Sequence, residues 1–135
     1  MTNILTFNYD QSYDPSMPVV KLHLIAPEST HSGNPITALL DSGSDGSMMP
    51  IDKLDEIEAL SVGTAIMSGI WGERRRVNTY LVTIQVANIL IRGVRVAGVA
   101  TGMDAILGRN VLNEMLLVLN GPAAAVELPI NHDQS

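Results

Sequence analysis

Short apolar segments separated by glycine and proline recur along the whole chain. In residues 18–26, Val20 and Leu22 alternate with Lys21 and His23, which predicts a β-strand with one buried face. The other segments between turn residues are similarly rich in Val, Ile, Leu and Thr. Many short strands joined by turns are typical of an all-β fold, so the pattern predicts an all-β domain in which helix is the minor element.

Two short segments have helical spacing instead. Ile51, Leu54 and Ile57 recur after Pro50, which predicts a helix of about two turns over residues 51–58. A second short helix is predicted over residues 111–116, with Asn110 as its cap. Besides 18–26, a strand is predicted over 36–40, which is expected to be covered on both faces, and two strands flank the turn at 68–72. Further strands are predicted over 89–100, interrupted by Gly93 and Gly98, and over 105–107, followed by a terminal hairpin of 117–119 and 123–128.

The composition fits one folded domain and excludes several classes of function. The chain has 135 residues, 46% of them hydrophobic and 16% charged, so a single domain over residues 1–135 with a packed core is expected. The formal charge of −6 argues against a nucleic-acid partner, and alternation along a strand divides the arginines of 74–76 between two faces. Cysteine is absent and the histidines are far apart, so we expect neither a disulfide nor a metal site. The sequence has no secretory signal and no membrane-length apolar run, which predicts a cytoplasmic protein without membrane contacts.

A carboxylate follows the most apolar predicted strand. Asp41 comes directly after Leu40 and is followed by Ser42 and Gly43. In an arbitrary chain such a triplet is most often a turn in which the carboxylate accepts a backbone N–H. Taken alone, the triplet therefore indicates only a turn.

Three blocks of sequence, in order, resemble the retroviral-type aspartic proteases, the retropepsins, over most of the chain. Leu39–Asp45 is similar to their apolar-Asp-Thr/Ser-Gly-Ala-Asp loop, Met67–Gly72 to their glycine-rich flap tip, and Ala105–Leu112 to their apolar strand, Gly-Arg-Asn and helix start. Ser44 departs from the usual Ala, and Trp71 from the usual Gly of viral flaps. The resemblance implies an all-β, closed retropepsin-like barrel with one short helix in the C-terminal half, assembled as a homodimer.

The resemblance also implies an aspartic endopeptidase that needs no cofactor, with Asp41 as its catalytic residue. Hydrolysis of a peptide bond without a metal or a nucleophilic side chain needs one group that takes a proton from water and another that donates one, and two adjacent carboxylates do both. Ser42 is expected to donate its hydroxyl across the dimer axis, and Gly43 to present its backbone to the substrate. Asp45 and Arg109 match a pair that forms an internal ion pair in the family, which we expect to orient the loop rather than to add net stability. The remaining implied residues are Ser44 in the loop and Gly69, Ile70, Trp71, Gly72 and Ile106 in the flap and the substrate cleft.

One chain supplies half of such a site, since no Asp other than Asp41 is followed by Ser-Gly or Thr-Gly. A shared dyad requires a homodimer with Asp41 on the two-fold axis and a peptide or protein substrate. Residues 10–18 and 120–135 match the family poorly, and viral chain termini build much of the dimer contact, so the interface is not predicted. Two other interpretations stay open: a dimer of the same fold that binds peptides with little turnover, and a monomeric β-barrel that binds a ligand without a dyad.

Overall fold

A closed β-barrel forms the body of the protein in the computed structural model, which describes residues 2–131. Met1 and residues 132–135, including His132, lie outside the described residues. The elements are β1 (Thr2–Asn8), β2 (Val19–Ile25), β3 (Ile36–Leu40), β4 (Ser47–Pro50), α1 (Ile51–Glu56), β5 (Ser61–Ser68), β6 (Arg74–Val86), β7 (Ile89–Val99), β8 (Ala105–Leu107), α2 (Arg109–Leu112), β9 (Val118–Asn120) and β10 (Ala125–Asn131).

Six strands make the barrel, in the order β2-β3-β8-β4-β7-β6, and pairing of β6 with β2 closes it. β5 pairs only with β6, so the β5–β6 hairpin extends from the barrel. β3 runs parallel to β8, with Leu40 opposite Leu107. Because parallel strands end at the same edge of a sheet, the residues that follow these two strands emerge side by side. This arrangement brings Asp41 next to Gly108.

Alternating side chains fill the barrel as the sequence pattern predicts for β2. Val20, Leu22 and Leu24 are 0 to 1% exposed, and they pack in one cluster with apolar residues of the other barrel strands. The prediction that residues 36–40 are covered on both faces is wrong at Thr37, which is exposed. No second layer covers the outer face of β3 at this position among the described residues.

A second sheet, with the order β1-β10-β9, joins the two terminal regions of the chain. β1 and β10 pair antiparallel along their whole lengths, from Thr2 opposite Asn131 to Asn8 opposite Ala125. Val126 belongs to the same buried cluster as the barrel strands, so this sheet packs on the barrel. The two terminal strands thus pair within one chain.

Several boundaries differ from those expected of the sequence. β1 and β4 lack a clear alternation and have no predicted counterpart. α2 ends at Leu112 instead of continuing to Leu116. β7 continues through Gly98, whereas at Gly93 its pairing with β6 shifts register. The fold has two short helices rather than one in the C-terminal half alone. In residues 2–131, no helix has both the length and the apolar character needed to cross a bilayer.

Candidate active site

Asp41 lies exposed at the end of β3, held by hydrogen bonds on both sides. Its backbone N–H donates to the carbonyl of Leu107 at 3.0 Å, which anchors it to β8. Its Oδ1 accepts the N–H of Gly43 at 2.9 Å, and its carbonyl accepts the N–H of Ser44 at 3.1 Å. The backbone turn thus orients one carboxylate oxygen and leaves the other without a partner among the described residues. This is the local turn expected of Asp-Ser-Gly, placed at the end of a barrel strand.

Helix α2 fixes the Asp41 loop (residues 41–46) through its first residue. The N–H of Arg109 donates to the carbonyl of Ser44 at 2.8 Å, and its guanidinium Nη1 donates to the carbonyl of Ser42 at 2.8 Å. The Ser44 hydroxyl donates to the carbonyl of Gly46 at 2.7 Å, closing the loop on itself. Arg109 therefore supports the backbone that carries Asp41.

The ion pair expected between Asp45 and Arg109 is absent from the described residues, where no oxygen of Asp45 lies within 4.0 Å of the guanidinium. Asp45 is exposed, and the guanidinium donates a hydrogen bond to the Ser42 carbonyl instead. A backbone carbonyl satisfies a guanidinium donor without the cost of desolvating a carboxylate. Arg109 therefore contacts the Asp41 loop through the hydrogen bond from its guanidinium to the Ser42 carbonyl, and not through an ion pair.

Ser47, a residue that sequence reasoning missed, joins the loop to α2 inside the protein. Its side chain is 2% exposed and donates to Oδ1 of Asn110 at 2.7 Å, while it accepts the buried N–H of Gly108 at 2.9 Å. The Asn110 amide also donates to the carbonyl of Arg95 on β7 at 3.0 Å. A serine between the predicted loop and the apolar residues 48–50 was the available signal, since a buried hydroxyl needs partners.

Gly108 lies against the Asp41 loop so closely that no side chain fits. A Cβ added to it would overlap the backbone of Gly46 and approach the carbonyl of Ser44 to 2.8 Å. The glycine of Gly-Arg-Asn is thus explained by contact between two backbones.

The β5–β6 hairpin has the tight tip that the sequence predicts, over residues 69–73. Ile70 and Trp71 are 91% and 87% exposed. Gly72 has a φ of +83°, a conformation that favours glycine. Glu73, also missed by sequence reasoning, closes the tip: its carbonyl accepts the N–H of Gly69 at 2.8 Å and its carboxylate accepts the N–H of Trp71 at 3.1 Å. Two large apolar side chains therefore project from an otherwise polar tip.

Two cavities, of about 730 and 700 Å³, lie between this hairpin and the barrel. Met48 and Met67 line both, and Ile106 lines the larger one. Ser44 and Asp45 line the smaller one. Asp41 lines neither cavity and lies exposed at the end of β3.

A tyrosine links the segment after β1 to the wall of the larger cavity. The hydroxyl of Tyr13 donates to Oδ2 of Asp104 at 2.8 Å, and Asp104 lines that cavity. This hydrogen bond raises the pKa of Tyr13 above its ordinary value, because ionising the phenol would remove the donor beside a carboxylate. Ionisation of the phenol removes the donor, so the contact is lost as the pH rises through the pKa of Tyr13.

Comparison with known proteins identifies the class of fold. No family model and no curated protein matches the sequence. The structure is similar to EIAV protease complexed with the inhibitor HBY-793, with 22% identity and a TM-score of 0.57 over 73% of this chain and 86% of that one. It is also similar to a retropepsin-like aspartic protease from Rickettsia conorii, with 5% identity and a TM-score of 0.61 over 96% of this chain and 92% of that one.

These similarities define an aspartic-protease fold. Within that class, the chain has the fold of the retropepsin-like aspartic proteases: a closed barrel in which a single Asp-Ser-Gly turn follows β3. The sequence prediction of an all-β retropepsin-like barrel is confirmed.

Proposed function

We propose that the protein is an aspartic endopeptidase of the retropepsin type, active as a homodimer in which each copy contributes one Asp41. The placement of Asp41 carries the proposal. It lies exposed at the end of β3, in a fold shared with retropepsin-like proteases, with its carboxylate oriented by the N–H of Gly43. An exposed carboxylate held rigidly at a barrel edge is suited to pairing with its symmetry mate.

The two carboxylates share one proton, because two like charges a few ångströms apart do not both ionise readily. The ionised one takes a proton from water while the protonated one donates its proton to the carbonyl oxygen of the substrate, and the water oxygen bonds to the carbonyl carbon. In the second half, the newly protonated carboxyl gives its proton to the amide nitrogen. The other carboxylate takes one from a hydroxyl of the tetrahedral intermediate, and the C–N bond breaks. The dyad ends with one proton, as it began.

The neighbouring residues position the substrate and the dyad. Ser42 is exposed and its hydroxyl has no hydrogen bond among the described residues, so it is available to donate across the dimer axis. The backbone of Gly43 faces the peptide, and Ile106 supplies an apolar wall of the cleft. The β5–β6 hairpin acts as a flap that closes over the peptide and excludes water. The substrate is a peptide or protein segment in extended conformation.

Digestion of a peptide library across a pH series tests the function. We expect cleavage within peptides, with kcat/KM falling on both the acidic and the alkaline side of an optimum. The shared proton is absent when both carboxylates are ionised, and neither is a base when both are protonated. Chelators leave the rate unchanged. Intact peptides at every pH, or a rate that still rises in the alkaline range, would contradict the proposal.

Trp71→Gly tests the flap. Because Trp71 is 87% exposed, its removal should leave the melting temperature nearly unchanged. If the tip closes over the substrate, losing the aromatic surface changes KM by roughly two- to tenfold. Leu60→Gly is the matched control, since Leu60 is 80% exposed but precedes β5, away from the tip. Identical KM values for both variants and the wild type on every cleaved peptide would exclude the flap role.

A further inference from the structure

The positive charge of the chain is concentrated on two neighbouring strands. β6 and β7 carry five of the eight lysines and arginines: Arg74, Arg75, Arg76, Arg92 and Arg95. Against these five charges, residues 61–99 contain one acidic residue, so this stretch has a formal charge of +4 in a chain of −6. All five arginines are exposed, and within residues 2–131 none has a carboxylate oxygen within 4.0 Å of its guanidinium.

Two of these arginines lie in the wall of the larger cavity between the β5–β6 hairpin and the barrel. Arg75 and Arg76 line it together with Met67 and Val77. Arg75 is opposite Met67 in the pairing of β5 with β6, and alternate residues of a strand share a face, so Arg75, Met67 and Val77 lie on one face of the hairpin. Because the two apolar residues of this face line the cavity, Arg75 is well placed to contact a chain bound in it.

The two carboxylates in the wall of the same cavity already accept hydrogen bonds. Glu73 accepts the N–H of Trp71 at 3.1 Å, and Asp104 accepts the hydroxyl of Tyr13 at 2.8 Å. The guanidinium of Arg75, in contrast, has no hydrogen-bond acceptor in the part of the chain that the structure describes. The charged donors of this cavity are therefore available to a ligand, whereas its carboxylates are already engaged.

The smaller cavity does not have this imbalance. Arg95 and Asp45 both line it, and both are exposed without a side-chain partner among the described residues. A charged ligand would be attracted by one of these groups and repelled by the other. A preference for one sign of charge therefore follows for the larger cavity and not for the smaller one.

We propose that Arg75 selects peptides that carry an acidic side chain. A Glu or Asp side chain of the bound peptide enters the larger cavity, and its carboxylate accepts hydrogen bonds from the Arg75 guanidinium, whose planar donors match a carboxylate. Arg76 adds to the positive potential, and Met48 and Ile106 contact the aliphatic part of the ligand. This inference rests on the proposed function, which supplies a peptide as the ligand.

The cavity determines the strength of this contact. At an open surface a guanidinium and a carboxylate attract each other weakly, because both are hydrated and screened. A peptide that fills the space between the hairpin and the barrel displaces water from around the pair, which lowers the local dielectric constant and strengthens the attraction. We therefore expect roughly a tenfold or greater difference in affinity between peptides that have Glu and Gln at the same position.

Binding to Asp41→Asn protein measures this selection without cleavage. Pools of octapeptides carry Glu, Gln or Lys at one fixed position and mixed uncharged residues elsewhere, so that every position is scanned. Glu should bind more tightly than Gln at one position or at two neighbouring ones, and Lys should bind more weakly than Gln. Calorimetric titration of single peptides from the preferred pool then gives their dissociation constants.

Substitutions of Arg75 in the Asp41→Asn protein identify the selecting residue. Arg75→Gln should make the Glu and Gln peptides bind equally, and Arg75→Lys should retain part of the preference, because lysine keeps the charge without the planar donors. Arg75→Glu should reverse the preference in favour of Lys, which a purely structural role would not produce. Arg92→Gln is the matched control, since Arg92 is an exposed arginine of β7 that lines neither cavity, and it should keep the original preference.

Cleavage by protein with Asp41 intact gives an independent measurement. Arg75→Gln should raise KM for the Glu peptide roughly tenfold and leave kcat within about twofold. Equal binding of Glu and Gln peptides at every position, an equal loss of both in Arg75→Gln, or the same loss in Arg92→Gln would each overturn the inference. Selective binding through Arg75 by a protein that cleaves no peptide would uphold it and contradict only the proposed function. Cleavage without any preference for Glu would do the reverse.

Discussion

Asp41→Asn should reduce kcat/KM for every cleaved peptide by roughly a thousandfold or more, because the substitution replaces both members of the dyad and an amide cannot take a proton from water. The fold and the dimer should persist. The amide is close in shape to the acid, and its oxygen can still accept the N–H of Gly43, which the Asp41 carboxylate holds at 2.9 Å. Purified variant and wild type are compared by kinetics and by sedimentation at the same concentration.

Asp52→Asn is the control for the loss of charge, since Asp52 is an exposed carboxylate on α1. Its activity should equal that of the wild type. Mixing equal amounts of wild type and Asp41→Asn after subunit exchange sharpens the test, because only about a quarter of the dimers then have two carboxylates. The activity of the mixture should therefore be about a quarter of that of the same total amount of wild type. If it is half instead, each copy works alone and a shared site is excluded.

Gly108→Ala is expected to have the largest effect on stability. The added methyl group overlaps the backbone of Gly46, so either the Asp41 loop or α2 must move. The movement also strains the hydrogen bond from the Gly108 N–H to the Ser47 hydroxyl, which is buried. We expect a loss of about 3 kcal/mol in the free energy of unfolding, and of activity even where the protein remains folded. Denaturant unfolding and peptide cleavage measure the two effects.

Gly121→Ala provides the comparison, because a Cβ at Gly121 meets no atom within 4 Å. Its free energy of unfolding should stay within about 0.5 kcal/mol of the wild type. If Gly108→Ala proved equally mild, the close packing of α2 against the Asp41 loop could not be what holds Asp41 in place.

The sequence predicts well those elements in which the pattern of apolar and polar side chains follows directly from which of them are buried. β2 alternates because one face fills the barrel, and Ile36 and Ala38 of β3 are apolar because they are buried in it. β4 has little pattern of its own, and its pairing with β7 and β8 defines it as a strand. β1 is likewise defined by β10, a partner at the far end of the sequence. Such pairings depend on residues distant in sequence, which local spacing does not record.

In the candidate site, too, some features follow from the local sequence and others do not. The positions of Asp41 and of the hairpin tip follow from short motifs with a turn residue beside each. The partner of Arg109 does not, because a guanidinium accepts either a carboxylate or a carbonyl oxygen as its partner, and the choice of the Ser42 carbonyl depends on the path of the loop. Ser47 and Glu73 were missed because their roles depend on backbone N–H groups, whose directions no side-chain pattern reports.

Pairing of β1 with β10 has a consequence for the order of events during synthesis. β1 is synthesised long before β10, so the nascent chain carries an unpaired β1 until β10 has emerged. Contacts between such distant segments also form late in folding. β9 likewise gains its neighbour only when β10 has emerged. The sheet that joins the two ends of the domain is therefore completed only after β10 has been synthesised.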